Sequence, residues 1–356
     1  MHATRIGSVQ ALRAFAALSV AILHVLHDAG PLDPSGLVGL GYNALPWASG
    51  VDLFFVISGF VMVYSSADLF GRSGSATRFM ARRLIRIVPL YWAATTLFLI
   101  VALATPGNVS QDDLSLGHVV MSYAFLPCRR PDGSIQPIYS LGWTLNYEMF
   151  FYVIFAACIA LPRRGAVAAV ALLLGSAMAL HRLVPPNATA LVFWTDGMLL
   201  EFLLGMAVAV VAAKGVALTA WVRLGLALTA LIVLIAAHHS GIASRPVTTG
   251  VPMSFLVGAA VLGRPLRVPR ALLLLGDASY ALYLVHPFAM RPVALIWQHL
   301  HLIGPILASL YAATVLLLAV IGAVGVHLWF ERPVGAWFRS RFPKRPLPRS
   351  LTRAAA

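Results

Sequence analysis

Arg13 and His24 stand eleven residues apart in the first long apolar stretch of the chain, with Ala17 and Val20 between them. An α-helix advances about 100° and 1.5 Å per residue, so the pair shares one face to within about 20° and is separated by about 16 Å along the axis. A guanidinium presents paired donors in a fixed fork that suits phosphate. An imidazole titrates near working pH and suits proton transfer. Ionisable groups inside a spanning helix are costly and mark a functional path by default. The spacing therefore predicts a site that reaches across a membrane.

Other polar residues recur at matching depth. Asp52 opens the second apolar segment, Gly50-Val51-Asp52-Leu53-Phe54-Phe55-Val56-Ile57-Ser58-Gly59-Phe60, where it either orients His24 or caps its own helix. Ser58 and Gly59 permit close helix approach. Arg82, Arg83 and Arg86 enter the third segment; Arg82 and Arg86 share a face, and with Arg13 the three form a phosphate-binding cluster. In the fourth, Thr144, Glu148 and Tyr152 recur every four residues, and Glu148 lies about two turns in, near the depth of His24. A glutamate there needs a partner or a task. Trp143 and Tyr147 suit the interfacial aromatic belt. Near the end of the chain Ser279, Tyr283 and His286 fall close to one face. Asp196, Glu201, Asp277 and Glu331-Arg332-Pro333 read as interhelical hydrogen-bonding groups. The sequence contains no HExxH, paired-cysteine, P-loop or GxGxxG pattern, which speaks against a metal site and nucleotide hydrolysis. Cys128 and Cys158 supply no disulfide framework.

The elements that must position these residues are transmembrane helices. The 356 residues are 60% apolar and only 11% charged, with a mean hydropathy of +0.85. Soluble domains carry roughly a quarter charged residues, so an all-α integral membrane protein is expected, built as a polytopic bundle. Apolar segments of spanning length fall near 7–27, 49–67, 85–104, 142–161, 166–182, 191–212, 217–237, 247–263, 272–297 and 304–330. Pro287, Pro292 and Pro305 are expected to kink or end the last two. The net charge of +14 sits in short clusters between apolar segments, the pattern of positive-inside bias rather than of nucleic-acid binding. With the N-terminus inside, the basic clusters alternate in phase over about ten helices, so both termini are expected in the cytoplasm. The first segment carries charges and lacks a clean cleavage site, so it is expected to stay as a helix. The long outer connection, 105–141, is expected to cap the bundle or bind something. Residues 1–340 read as one membrane domain and 341–356 as a disordered basic tail near anionic headgroups.

In this order and depth the motifs resemble the acyltransferase 3 family of bacterial integral-membrane acyltransferases. That family O-acylates surface polysaccharides, lipopolysaccharide, nodulation factors and some antibiotics. The resemblance runs from about residue 5 to about residue 340. It rests on Arg13 with His24, on Gly50–Phe60, on Arg82-Arg83 with Arg86 and Pro89, on Ser140-Leu141 with Glu148–Tyr152, and on Ser279–His286. The Gly142–Tyr147 interval between Ser-Leu and Glu resembles the exopolysaccharide-type branch, and the chain looks like a short, membrane-only member. What the resemblance implies is a multi-pass protein of the bacterial cytoplasmic (inner) membrane. Its donor would be acetyl-CoA or another short acyl-CoA from the cytoplasm, and its acceptor a hydroxyl of an extracytoplasmic carbohydrate. Arg82, Arg83 and Arg86 would hold the donor phosphates, with Arg13 guiding the arm inward. His24 would act as general base, or would attack the thioester and carry the acyl group. Glu148 or Asp52 would orient its ring, while Trp143, Tyr147, Tyr283 and His286 would meet the acceptor. The rival reading is a secondary transporter or glycan flippase, for which buried charges also suit but no internal repeat is visible.

Overall fold

The computed structural model describes residues 2–105, 114–240 and 245–341. The basic tail at 342–356, together with Asp112 and Asp113, lies outside the described residues. The described chain is all helical, with a lone β-bridge between Arg129 and Ile135.

α1 (His2–Ala29) runs unbroken and meets no proline before Gly30-Pro31, where a 3₁₀ turn ends it. Asp33 then accepts from the backbone of Ser35 and Val38 and from the Ser35 hydroxyl. Chiefly the Ser35 hydroxyl holds its carboxyl below the usual range and steadies the entry to α2 (Leu37–Ala44). α3 (Ser49–Ser65), α4 (Ser75–Ala104) and the short α5 (Leu116–Tyr123) follow. Next come α6 (Trp143–Cys158), α7 (Arg163–Leu180), α8 (Thr189–Trp194), α9 (Leu199–Ala213) and α10 (Ala220–Ser240). A π-turn, Pro246–Gly250, leads into α11 (Val251–Val261). α12 (Arg270–Asp277) and α13 (Ser279–His299) meet at a 74° bend. α14 (Pro305–Val326) continues through a second π-turn, His327–Glu331, into α15 (Arg332–Arg341).

Among the described residues, seven helices are long and apolar enough to cross a membrane, or eight if α12 and α13 count as one span. About ten were expected. The difference lies in α6, which has 16 residues, and in the shorter apolar helix Pro246–Val261. The break in the ninth expected segment also falls elsewhere. Pro287 and Pro292 lie inside α13, and the chain bends at Ala278, more than two turns before either. The described part of the connection at 105–141 is folded rather than loose. α5 lies on α4 through Tyr91 and Trp92, which donate to the carbonyls of Ser122 and Tyr123.

α1 sits at the centre, against α3 on one side and α12, α13 and α14 on the other. Gly50 allows α3 to ride on the Ala16 carbonyl. α3 and α9 approach still more closely: a Cβ at Gly59 would strike the Phe202 carbonyl, and one at Gly205 the Val56 carbonyl. Small residues let backbones meet where lipid offers no hydrophobic drive. Phe55 and Phe151 flank Phe202 at ring distances of 4.8 and 4.5 Å. By contrast α7 and α10 turn most of their apolar side chains outward, as lipid-facing helices do. Gly59→Ala should lower thermal stability in detergent by about 2 kcal/mol through overpacking. Gly225→Ala, with nothing within 4 Å of the new methyl, should raise it by up to about 1 kcal/mol.

Candidate active site

A cavity of about 770 Å³, mouth included, opens among α1, α3, α4, α6 and α13. Its polar wall is made by Arg13, Arg83, Arg86, Ser58, Glu148 and Tyr152, and its apolar wall by Phe54, Phe55, Met62 and Ile87. The spacing-four face read from the sequence holds: Thr144, Glu148 and Tyr152 all line the space. One Glu148 oxygen, Oε1, accepts from the Ser58 hydroxyl at 2.9 Å and the Tyr152 hydroxyl at 2.6 Å. Arg83 donates to Ser65 Oγ at 2.8 Å and lies over the Phe79 and Tyr152 rings. Arg86 is exposed at the rim, while Arg13 is half-buried. Three guanidiniums against one carboxylate leave the chamber cationic, and its apolar walls weaken screening. That combination suits an anion carried on a less polar stem.

Arg82 is not part of this arrangement. It points outward to Asp68 at 3.5 Å, with both side chains more than half exposed. The shared face expected for Arg82 and Arg86 is real helical geometry, but Arg83, one step round, is the residue that faces inward with Arg86.

Beyond the chamber along α1, His24 meets His286 of α13. His24 Nδ1 lies 3.1 Å from His286 Nε2, with the rings stacked at 5.1 Å. His286 Nδ1 lies 3.0 Å from the Leu282 carbonyl. A carbonyl only accepts, so Nδ1 of His286 carries the hydrogen and its Nε2 offers a lone pair. His24 Nδ1–H donates to that lone pair, leaving His24 Nε2 bare. This is the arrangement of an oriented base, the third group being a backbone carbonyl. The cap reaches the same turn of α13, where the Tyr139 hydroxyl donates to the Leu284 carbonyl. Tyr283 lines the chamber, its hydroxyl 3.0 Å from both Thr144 Oγ1 and the Leu141 carbonyl.

The orienter expected for His24 was Glu148 or Asp52, and neither is bonded to it. Glu148 faces the arginines. Asp52, fully buried, is clasped by Arg245, with Nε on Oδ1 at 3.1 Å and Nη2 on Oδ2 at 3.0 Å. Glu201, also fully buried, lies against Asp52, within electrostatic reach of the same guanidinium. Gly250 of the π-turn makes room for it. Spacing along a helix was legible, but Glu148, expected near the depth of His24, lies in the chamber with Arg13, and the direction in which a side chain turns depends on neighbours far away in the sequence. Trp143 and Tyr147 do not line the chamber. They pack edge-on to Phe55, and Tyr147 stacks on Phe193 at 3.9 Å. His286, expected to meet the acceptor, is fully buried as the partner of His24. Its YLVH run at helical spacing was the signal available.

The family model described as the acyltransferase domain, acyltransferase 3, matches residues 6–328. The chain is 36% identical over 310 residues to the exopolysaccharide production protein ExoZ of Rhizobium meliloti (strain 1021), covering 83% of this chain and 91% of that protein. It is 26% identical over 332 residues to the acyltransferase MdmB of Streptomyces mycarofaciens, covering 81% and 79%. No solved structure matches the chain.

The two carboxylate–arginine pairs separate structure from surface. Asp52→Asn should lower the stability of the folded protein by about 2 kcal/mol, because it removes the charge from a fully buried carboxylate bonded to a part-exposed guanidinium. Asp68→Asn should change it by less than about 1 kcal/mol, because that pair is exposed. Thermal unfolding of the purified protein measures both.

Proposed function

Since the chain belongs to the acyltransferase 3 family and is an enzyme that moves acyl groups, we propose that its donor is an acyl-CoA from the cytoplasm. The acceptor in this reading is a hydroxyl of a carbohydrate on the far side of the bacterial inner membrane. The observation that carries it is the division of α1: a cationic chamber around Arg13, and one helix face along, an imidazole with a bare Nε2. The name of the relative ExoZ, an exopolysaccharide production protein, supports an exopolysaccharide as acceptor.

In this mechanism Arg13, Arg83 and Arg86 hold the donor phosphates, and Arg82 takes no part. Glu148, on the same wall, offsets part of the charge of the guanidiniums. The pantetheine arm follows the apolar wall past Phe54 and Tyr283, a distance of the same order as the roughly 16 Å from Arg13 to His24. The thioester then lies beside His24. The acceptor hydroxyl gives its proton to His24 Nε2 as its oxygen bonds to the thioester carbonyl carbon. The carbon–sulfur bond breaks, and the leaving thiolate takes that proton back from His24. His286 accepts the Nδ1–H throughout and stabilises the transient imidazolium.

Two outcomes test the reading in inverted membrane vesicles supplied with radiolabelled acetyl-CoA. His24→Ala should abolish protein-dependent label in glycan. His286→Ala should lower it by about 100-fold, and His286→Gln, which can still present an acceptor to His24, should recover part of the loss. Label transfer that survives His24→Ala rejects the base assignment. On the donor side, Arg86→Ala should raise the KM for acetyl-CoA by about tenfold or more, the value of a charged hydrogen bond. Arg82→Ala should leave it within about twofold.

A further inference from the structure

The chamber surrounds Arg13 on one side of His24 along α1, and the next turn of the helix lies on the other. The next turn of α1 carries Asp28, four residues on and about 6 Å further along the axis. Asp28 is half-buried. Its Oδ2 accepts the hydroxyl of Tyr311 on α14. Tyr311 is itself fully buried and held edge-on by Trp297 at 5.7 Å. Asp28 Oδ1 receives no hydrogen bond from any described residue, and it is not among the atoms sealed from solvent. No described cation pairs with this carboxylate.

One oxygen is therefore pinned and the other open. A tie between α1 and α14 alone would be served as well by a neutral amide, at lower cost in an apolar setting. Next to Asp28, exposed His27 packs against the ring of Tyr42 on α2, at 5.8 Å. α2 is held in place by the Asp33 cap and by His238, whose Nε2 lies 3.0 Å from the Asn43 carbonyl. An open carboxylate oxygen one helical turn beyond His24 offers acceptance to a hydroxyl of a substrate whose reacting oxygen meets the imidazole.

Building on the donor and acceptor reading above, we propose that Asp28 is the acceptor-binding residue. It accepts a hydroxyl adjacent to the reacting one, and so sets a polyol or sugar ring with its nucleophilic oxygen at His24 Nε2. Asp28 takes no part in the proton transfer, since the reacting proton goes to His24 and then to the thiolate. The site thus selects acceptors with two neighbouring hydroxyls over simple alcohols.

The test uses the full chain in nanodiscs with acetyl-CoA, comparing a methyl hexopyranoside with ethanol as acceptor. The readout is the ratio of their kcat/KM values. General damage to the fold lowers both and leaves the ratio fixed. D28N should reduce the preference for the glycoside by about tenfold, the worth of a hydrogen bond to a charged group. Y311F, which keeps the carboxylate but loosens it, should reduce it by a smaller factor. Should D28N fail to fold, D28E moves the carboxylate by one methylene and is expected to shift the same ratio. A ratio unchanged in these variants overturns the assignment of Asp28 while leaving the donor reading intact. Absence of acetyl-CoA turnover by the unsubstituted protein with either acceptor overturns the donor reading, and this inference with it.

Discussion

A charged side chain held away from water must be met by another polar group, and the bundle is arranged around that requirement. Several of the buried ionisable groups on the helices find a partner on a different helix. Glu148 takes Ser58 from α3 and Tyr152 from its own helix, in a chamber shared with Arg13, Arg83 and Arg86. Asp52 takes Arg245 from the segment before α11. His24 takes His286. Such contacts fix the rotation of each helix about its axis, which uniform apolar packing against lipid would leave loose.

That rotation places two unlike environments along α1. Around Arg13 the surroundings are cationic with apolar walls, and at His24 they are aromatic and weakly polar. The same helix must pack tightly on both sides to keep the two in register. Gly50 against the Ala16 carbonyl and Gly276 against the Gln10 carbonyl supply that closeness. The 74° bend before α13 matters for the same reason. It lets α12 pack on α1 while α13 enters with Tyr280 and Tyr283 on the chamber and His286 against His24.

The cap contributes more than cover. Tyr139 ties it to the Leu284 carbonyl, and Tyr283 returns a hydrogen bond to the Leu141 carbonyl. The turn of α13 that presents His286 is thus held from two directions. In the proposed reaction this rigidity keeps the His24 tautomer fixed while the acyl group passes, a condition for base catalysis with little reorganisation.

Sequence alone determined the class and the face shared by Arg13 and His24. Hydropathy of this magnitude admits few folds but a membrane bundle, and an Arg and a His eleven residues apart on one helix must share a face, because local helical geometry is independent of neighbours. The spacing of Thr144, Glu148 and Tyr152 was legible for the same reason. The tertiary structure decided which way each face turned. It brought His286 to His24 across 262 positions of sequence, gave Asp52 to Arg245 rather than to the imidazole, and sent Arg82 out to Asp68 while Arg83 turned in. These are long-range contacts between groups whose local sequence carries no sign of the partner, so only the packed arrangement of helices could select them.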